Sequence, residues 1–328
     1  MPQTAQYCVK NQPKSLMYLF VHVTHSLILA LSCRRLRHFH LAASHISPKL
    51  MVRALTVTLL AACGAETPVA DERADDNFKQ WKLPGRLREI SGLALTPDER
   101  LLAVTDEKAI VYELDYNEGR IIKSFALGNP VVRADFEGIA VLGDRIWLMT
   151  SDGVLFAAEE GPDERSVRYQ KFDTGHGDYC ELEGLAQDPA AGTLILVCKE
   201  TNKKKNDLMM FEWTATADGI EHVRSTVIPE SSIEDGIDEK KFSPSGITID
   251  PQTGERVIIA ARQDALVRLE ADGSLSEAII LKKKGRHKQS EGIELTRDGR
   301  MLIADEGGDG RARLAVYAAT STGNNKNE

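Results

Sequence analysis

The chain has 328 residues, 42% hydrophobic and 6% aromatic, an ordinary composition for a globular protein with a true core. Residues 1–62 carry seven Lys/Arg and no Asp or Glu, whereas residues 63–328 carry 34 Lys/Arg against 49 Asp/Glu, a balance of −15. So acidic a body argues against nucleic acid as a partner, since phosphates need a basic face, and five cysteines without CxxC or Cys/His spacing argue against a zinc site or a disulfide scaffold.

Residues 1–50 hold five of the eight histidines and an apolar stretch, Leu16–Leu31, broken by His22 and His25. Translation is expected to begin at Met51, which makes residues 1–50 an upstream, non-native extension. The competing reading is a membrane anchor at Leu16–Leu31. From Met51 the order is a start residue, one charge at Arg53, a short apolar run and small residues before a cysteine, which is the anatomy of a signal peptide over residues 51–62. Leu60-Ala61-Ala62-Cys63 is similar to a bacterial lipobox, which implies cleavage before Cys63 and a diacylglycerol on its sulfur. The run is too short to span a bilayer. The polar, acidic stretch that follows, within residues 63–76, reads as a tether. In a Gram-negative organism, Gly64 rather than Asp after Cys63 would point to the outer membrane.

The body, residues 77–320, is a repeat. Glu89-Ile-Ser-Gly-Leu-Ala, Asp135-Phe-Glu-Gly-Ile-Ala, Glu181-Leu-Glu-Gly-Leu-Ala, Ser243-Pro-Ser-Gly-Ile-Thr and Gln289-Ser-Glu-Gly-Ile-Glu follow one another, with Gly92, Gly138, Gly184, Gly246 and Gly292 at steps of 46, 46, 62 and 46 residues. The long step is expected to hold its extra residues within polar 214–242. After each glycine comes a short strand, then a turn rich in Asp, Pro and Gly (Asp188-Pro-Ala-Ala-Gly192, Asp250-Pro-Gln-Thr-Gly254), then a second apolar strand such as Leu101–Val104, Leu194–Val197 or Val257–Ala260. A third strand usually follows, for example Ala109–Leu114, Val154–Ala157 or Ala265–Leu269. Units of this length with up to four strands are propeller blades. The predicted fold is therefore all-β, a five-bladed β-propeller. Its last unit lacks a fourth strand, and Asn77–Leu83 is a strand without a partner in its own unit, so the N-terminal strand is expected to complete the last blade and remove two free edges. Residues 321–328 read as a disordered tail, and the protein is expected to be a monomer.

These motifs, together with Asp250-Pro-Gln-Thr-Gly-Glu and Ile303-Ala-Asp-Glu-Gly, resemble the SdiA-regulated family over about residues 80–318. The resemblance implies an extracytoplasmic five-bladed propeller, distantly related to NHL-repeat propellers, with a bound calcium ion.

The residue before each repeated glycine should ring the mouth of the channel: Ser91, Glu137, Glu183, Ser245 and Glu291. Converging carboxylates repel unless a cation or protons neutralise them, and calcium accepts about 6–8 oxygens in loose geometry. Glu137, Glu183 and Glu291 are thus the candidate metal ligands. The alternative is that they accept backbone N–H groups of the neighbouring blade. A second ring ends the second strands, with Asp106, Asp152 and Asp305 as possible helpers and Glu200, Asp264 and Glu306 beside them. Asp305–Gly310 reads as a glycine-rich turn, because EF-hand spacing fails.

No nucleophile elbow, H-E-x-x-H or phosphate loop is present. His176 precedes the third motif and is the one candidate for a catalytic base at the mouth; His222 and His287 are expected in solvated loops. Cys180 and Cys198 flank the hairpin around Asp188–Gly192 about three residues out of direct register, so a disulfide between them needs a bulge or a loop bend, and two buried thiols are the alternative. The basic runs Lys203–Lys205 and Lys282–Lys288 read as solvated loops. Two functions remain: a non-enzymatic calcium-binding propeller anchored in the envelope through Cys63 that recognises a ligand or envelope protein, and a calcium-dependent hydrolase of lactones, esters or phosphoesters. A purely structural envelope scaffold is a third.

Overall fold

The computed structural model describes residues 77–319 except 202–206, 217–218, 240 and 282–285. The expectations on residues 1–76, on Cys63 and its lipid, on Lys203–Lys205 and on the 321–328 tail lie outside the described residues.

Five sheets, antiparallel but for one added strand, form five blades among the described residues, and the inner strands Ile90–Leu95, Phe136–Leu142, Cys180–Asp188, Gly246–Ile249 and Ser290–Leu295 touch in succession to close a ring. The protein is an all-β, five-bladed propeller. In the first blade Leu101–Thr105, Lys108–Asp115 and Arg120–Leu127 follow the inner strand outward. The second, third and fourth blades repeat this order and end on Gln170–Asp173, Ile220–Ile228 and Leu275–Ile280.

The fifth blade ends on a strand from the other end of the body. Phe78–Lys82 pairs antiparallel with Arg313–Tyr317, with Gln80 opposite Ala315. Phe78 is buried between the fourth and fifth blades, while Trp81 packs between the fifth and the first. Gln80 adds a bond from its amide to Arg286 O at 2.8 Å, and the Arg286 guanidinium lies 4.1 Å over the Phe78 ring. Part of the Lys282–Lys288 run thus serves closure rather than solvent.

The core is five separate layers, one between each pair of neighbouring blades. Successive residues of a strand point to opposite faces, so Leu302 enters the layer shared with the first blade and Ile303 the layer shared with the fourth. This is why the second strands read as unbroken apolar runs instead of alternating ones.

Two features go beyond the repeat. Arg165–Val167 leaves the second blade and adds in parallel to the outer strand of the first, Phe125 opposite Arg165. The long step contains the outer strand Ile220–Ile228 and a short helix, Ser231–Ile237, whose Ile233 and Ile237 (one turn apart) are buried between the third and fourth blades. Asp188 and Asp250 shape their turns by accepting nearby backbone N–H groups, Ala190 N at 3.0 Å and Gln252 N at 2.8 Å.

Candidate functional site

The repeated glycine exists because the inner strands meet at backbone contact around the axis. A Cβ on Gly138 would stand 2.7 Å from Leu185 Cβ and 2.8 Å from Leu185 N, and one on Gly246 would stand 2.6 Å from Glu291 O. The residue after each glycine (Leu93, Ile139, Leu185, Ile247 and Ile293) is buried against this ring. What remains on the axis is a cavity of about 10 Å³, room for about one water. Farther along, the Gln187 amide bonds Val141 N and Leu95 O, each at 3.3 Å. The Glu294 carboxyl accepts from Leu95 N at 3.3 Å and Thr248 Oγ1 at 2.9 Å. The axis is therefore plugged below a well.

The ring residues reach the well through β-bulges. Ile90 faces Thr105 and Gly92 faces Val104, so Ser91 between them has no opposite number. Glu137, Glu183 and Glu291 are skipped in the same way in their strands. A bulge re-aims the side chain it carries, and here it lets the residue before the glycine leave the sheet. The fourth inner strand begins at Gly246 without one, and Ser245 Oγ instead donates to Ser290 O at 2.6 Å.

Ser91, Glu137 and Glu291 line the cavity, and Glu183 stands close enough for its charge to act on both glutamates. Burial, then the charges of Glu183, Asp135 and Glu291, push the Glu137 carboxyl up to about 9. Burial, then Glu183, lifts Glu291 to about 7. Burial lifts Glu183 to about 6 against the pull of Lys199. Ser91 is 6% exposed and its Oγ has no hydrogen-bond partner.

The positive charge at the well is Lys199. Its ammonium pairs with the Glu183 carboxylate and lies 3.4 Å from Glu181 Oε1. Lys199 is itself bulged: Glu181 faces Glu200 and Leu182 faces Cys198, and the residue between is skipped. Two facing bulges thus carry the two members of the ion pair. A disulfide joins Cys180 to Cys198 beside them, with Cα atoms 5.8 Å apart, and the bulge at Glu183 sets Cys198 opposite Leu182, one residue nearer to Cys180 than an unbroken ladder would.

Calcium fits the chemistry of the donor set, which is all hard oxygen and includes an orphaned buried hydroxyl. The side chains as they stand do not form a ligand shell. Among the described residues no group of three or more His, Cys, Asp or Glu is placed to hold a metal ion, and Lys199 occupies Glu183.

The other predicted residues lie elsewhere. His176 does not line the well. It is buried, stacked on Phe211 with ring centroids 3.8 Å apart, and bonded through Nδ1 to Tyr179. Burial and then the neighbouring His222 lower it to about 4, so it stays neutral. His287 is buried rather than solvated, with Nδ1 3.0 Å from Asp305 Oδ2 and Nε2 2.6 Å from Tyr317 Oη. Asp305 is thus engaged by His287 and does not line the axial cavity. Asp152 accepts from Thr150 Oγ1 in a hairpin turn, and Glu200 pairs with Lys241 and Arg262. Asp106 Oδ1 is buried without a partner, and burial and then Glu89 push its carboxyl up to about 6, but it does not line the axial cavity. Backbone N–H groups of neighbouring blades, Val141 N and Leu95 N, bond Gln187 and Glu294. Lys199 carried no repeat signal and was missed.

The family model for SdiA-regulated proteins matches residues 75–306. The chain belongs to the SdiA-regulated family. Among solved structures, this SdiA-regulated chain is similar to a luciferin-regenerating enzyme at 10% identity and TM-score 0.46, covering 77% of this chain and 96% of that one. A glutaminyl cyclase from Myxococcus xanthus matches at 12% identity and TM-score 0.46, over 76% and 96% of the two chains. A PQQ-bound aldose sugar dehydrogenase from Streptomyces coelicolor matches at 13% and TM-score 0.46, over 74% and 99%. Likeness this distant has no bearing on the chemistry of the SdiA-regulated protein. No curated protein matches its sequence.

Proposed function

We propose that this SdiA-regulated propeller is a calcium-binding module of the cell envelope, tethered through a lipid on Cys63, that recognises a ligand or envelope partner at the face carrying the well. The observation that carries the reading is the convergence of Glu137, Glu183 and Glu291 beside Ser91, whose buried hydroxyl lacks a partner. Buried carboxylates held together in this way oppose one another's ionisation, and a divalent cation relieves that opposition. Glu137, Glu183, Glu291 and the Ser91 hydroxyl would hold the ion, which would supply a fixed positive charge for an anionic or carbonyl-bearing partner. Neither His176 nor His287 lines the well, so the hydrolase alternative has no histidine base there among the described residues.

The test is calorimetric titration of chelator-stripped protein with calcium. Saturable binding that is lost in Glu137→Gln and Glu183→Gln supports the reading. An absence of binding heat, with no calcium-dependent shift in melting temperature, sinks it.

A further inference from the structure

Lys199 is placed as no other cation in the described structure is. Its ammonium pairs with Glu183, whose side chain is 5% exposed, at the only point where the well meets a basic group among the described ion pairs. The pairing is built into the backbone, because two opposed bulges turn Glu183 and Lys199 out of the same pair of strands, and the Cys180–Cys198 disulfide fixes those strands. Lys199 also lines a second cavity of about 40 Å³, together with Glu200, Asp207, Glu230, Lys241 and Phe242. The lysine stem, four carbons long and rotatable, thus borders two carboxylate-lined spaces.

We infer that Lys199 is a tethered counter-ion of the well, and that a cation enters by displacing its ammonium from Glu183 into the neighbouring cavity. The inference rests on the cation-binding reading above. It adds that the resting protein carries its own competitor. The ammonium neutralises Glu183 and leaves an incomplete ligand shell. A divalent ion offers two charges and several coordination positions where the ammonium offers one charge and three hydrogens. The side chain it displaces moves among Asp207, Glu230 and Glu200, where it joins the existing pairing of Glu200 with Lys241 and Arg262.

Two measurements decide the matter. Calcium is titrated calorimetrically into the chelator-stripped full-length protein and into its Lys199→Met variant, which keeps the length of the side chain and removes the charge. The expected result is binding at least tenfold tighter in the variant. In parallel, acetylation of the unmodified protein by acetic anhydride is followed by peptide mass spectrometry. Saturating calcium should raise the labelling rate at Lys199 several-fold, while exposed lysines such as Lys171 keep theirs. Equal or weaker binding by the variant, or a labelling rate at Lys199 that calcium leaves unchanged or slows, overturns the inference while the cation site stands. Absence of calcium binding in both proteins overturns the site and the inference together. The labelling arm needs no variant, so it also answers if Lys199→Met fails to fold.

Discussion

Gly138 lies against Leu185 of the next blade so closely that the smallest side chain would put its carbon 2.7 Å from Leu185 Cβ. Backbone meets backbone there, and neither side can yield without moving an inner strand. Gly138→Ala is expected to destabilise the protein by roughly 1–3 kcal/mol, as overpacking in a filled core does. Gly85→Ala is the control, since nothing lies within 4 Å of its added carbon. Urea midpoints that shift equally in the two variants would show that the ring has slack.

Closure of the propeller by Phe78–Lys82 makes a second prediction. Deleting residues 77–83 strips five cross-strand pairs from Arg313–Tyr317 and removes Phe78 from its layer. Loss of a buried phenylalanine alone costs about 3–5 kcal/mol, so a fall in melting temperature of at least about 6 °C is expected. A melting temperature unchanged from that of the full chain would mean that the fifth blade is stable on three strands.

Glu294 sets a pH dependence. Burial pushes its carboxyl up to about 8, so the folded protein keeps a proton that the unfolded chain releases near the ordinary carboxyl value. The folded state binds more protons between these two values, so stability is fully present below the lower and is lost as pH rises through about 8. Melting temperature should therefore decline from pH 5 to pH 9. Glu294→Gln keeps an acceptor for Leu95 N and does not ionise, so its decline should be shallower. Parallel curves for the two proteins would remove Glu294 as a source of the slope.

The Cys180–Cys198 bridge closes a loop across 18 residues. Opening it by reductant, or by Cys180→Ala with Cys198→Ala, is expected to cost about 3 kcal/mol on chain-entropy grounds. Thermal melts with and without reductant read the effect. The double variant should melt at one temperature under both conditions.

Tethering is tested by fractionation. Cys63→Ser should move the protein from the membrane pellet to the soluble fraction, and mass spectrometry of the mature protein should find no peptide from residues 1–50. Unchanged fractionation of the variant would transfer the anchoring to another segment.

Much of the fold was legible because the repeat is carried by glycines at positions where an added Cβ would crowd a neighbouring strand. Gly92, Gly138, Gly184, Gly246 and Gly292 mark the backbone contacts of the inner ring, and the apolar second strands mark the layers between blades. The outer strands were harder to see. Ile220–Ile228 is exposed along most of its length, so packing leaves no periodic trace in it. The parallel strand Arg165–Val167 is three residues long and owes its place to an edge elsewhere in the chain. At the site, the spacing brought Glu137, Glu183 and Glu291 to one axis. It was silent on the bulges that aim them, because register is a property of strand pairs and not of one strand. Lys199 depends wholly on such a register shift. His287 reads as a loop residue until Asp305 and Tyr317, distant in sequence, close over it.

The apolar ring of Leu93, Ile139, Leu185, Ile247 and Ile293, backed by Gln187 and Glu294, has a last consequence. A five-bladed ring could serve as a conduit between its two faces, but this one is a cup. Whatever settles on the carboxylates arrives and departs by a single door, so the rate at which an occupant leaves is governed by the rim. Substitutions on the opposite face should leave that rate untouched.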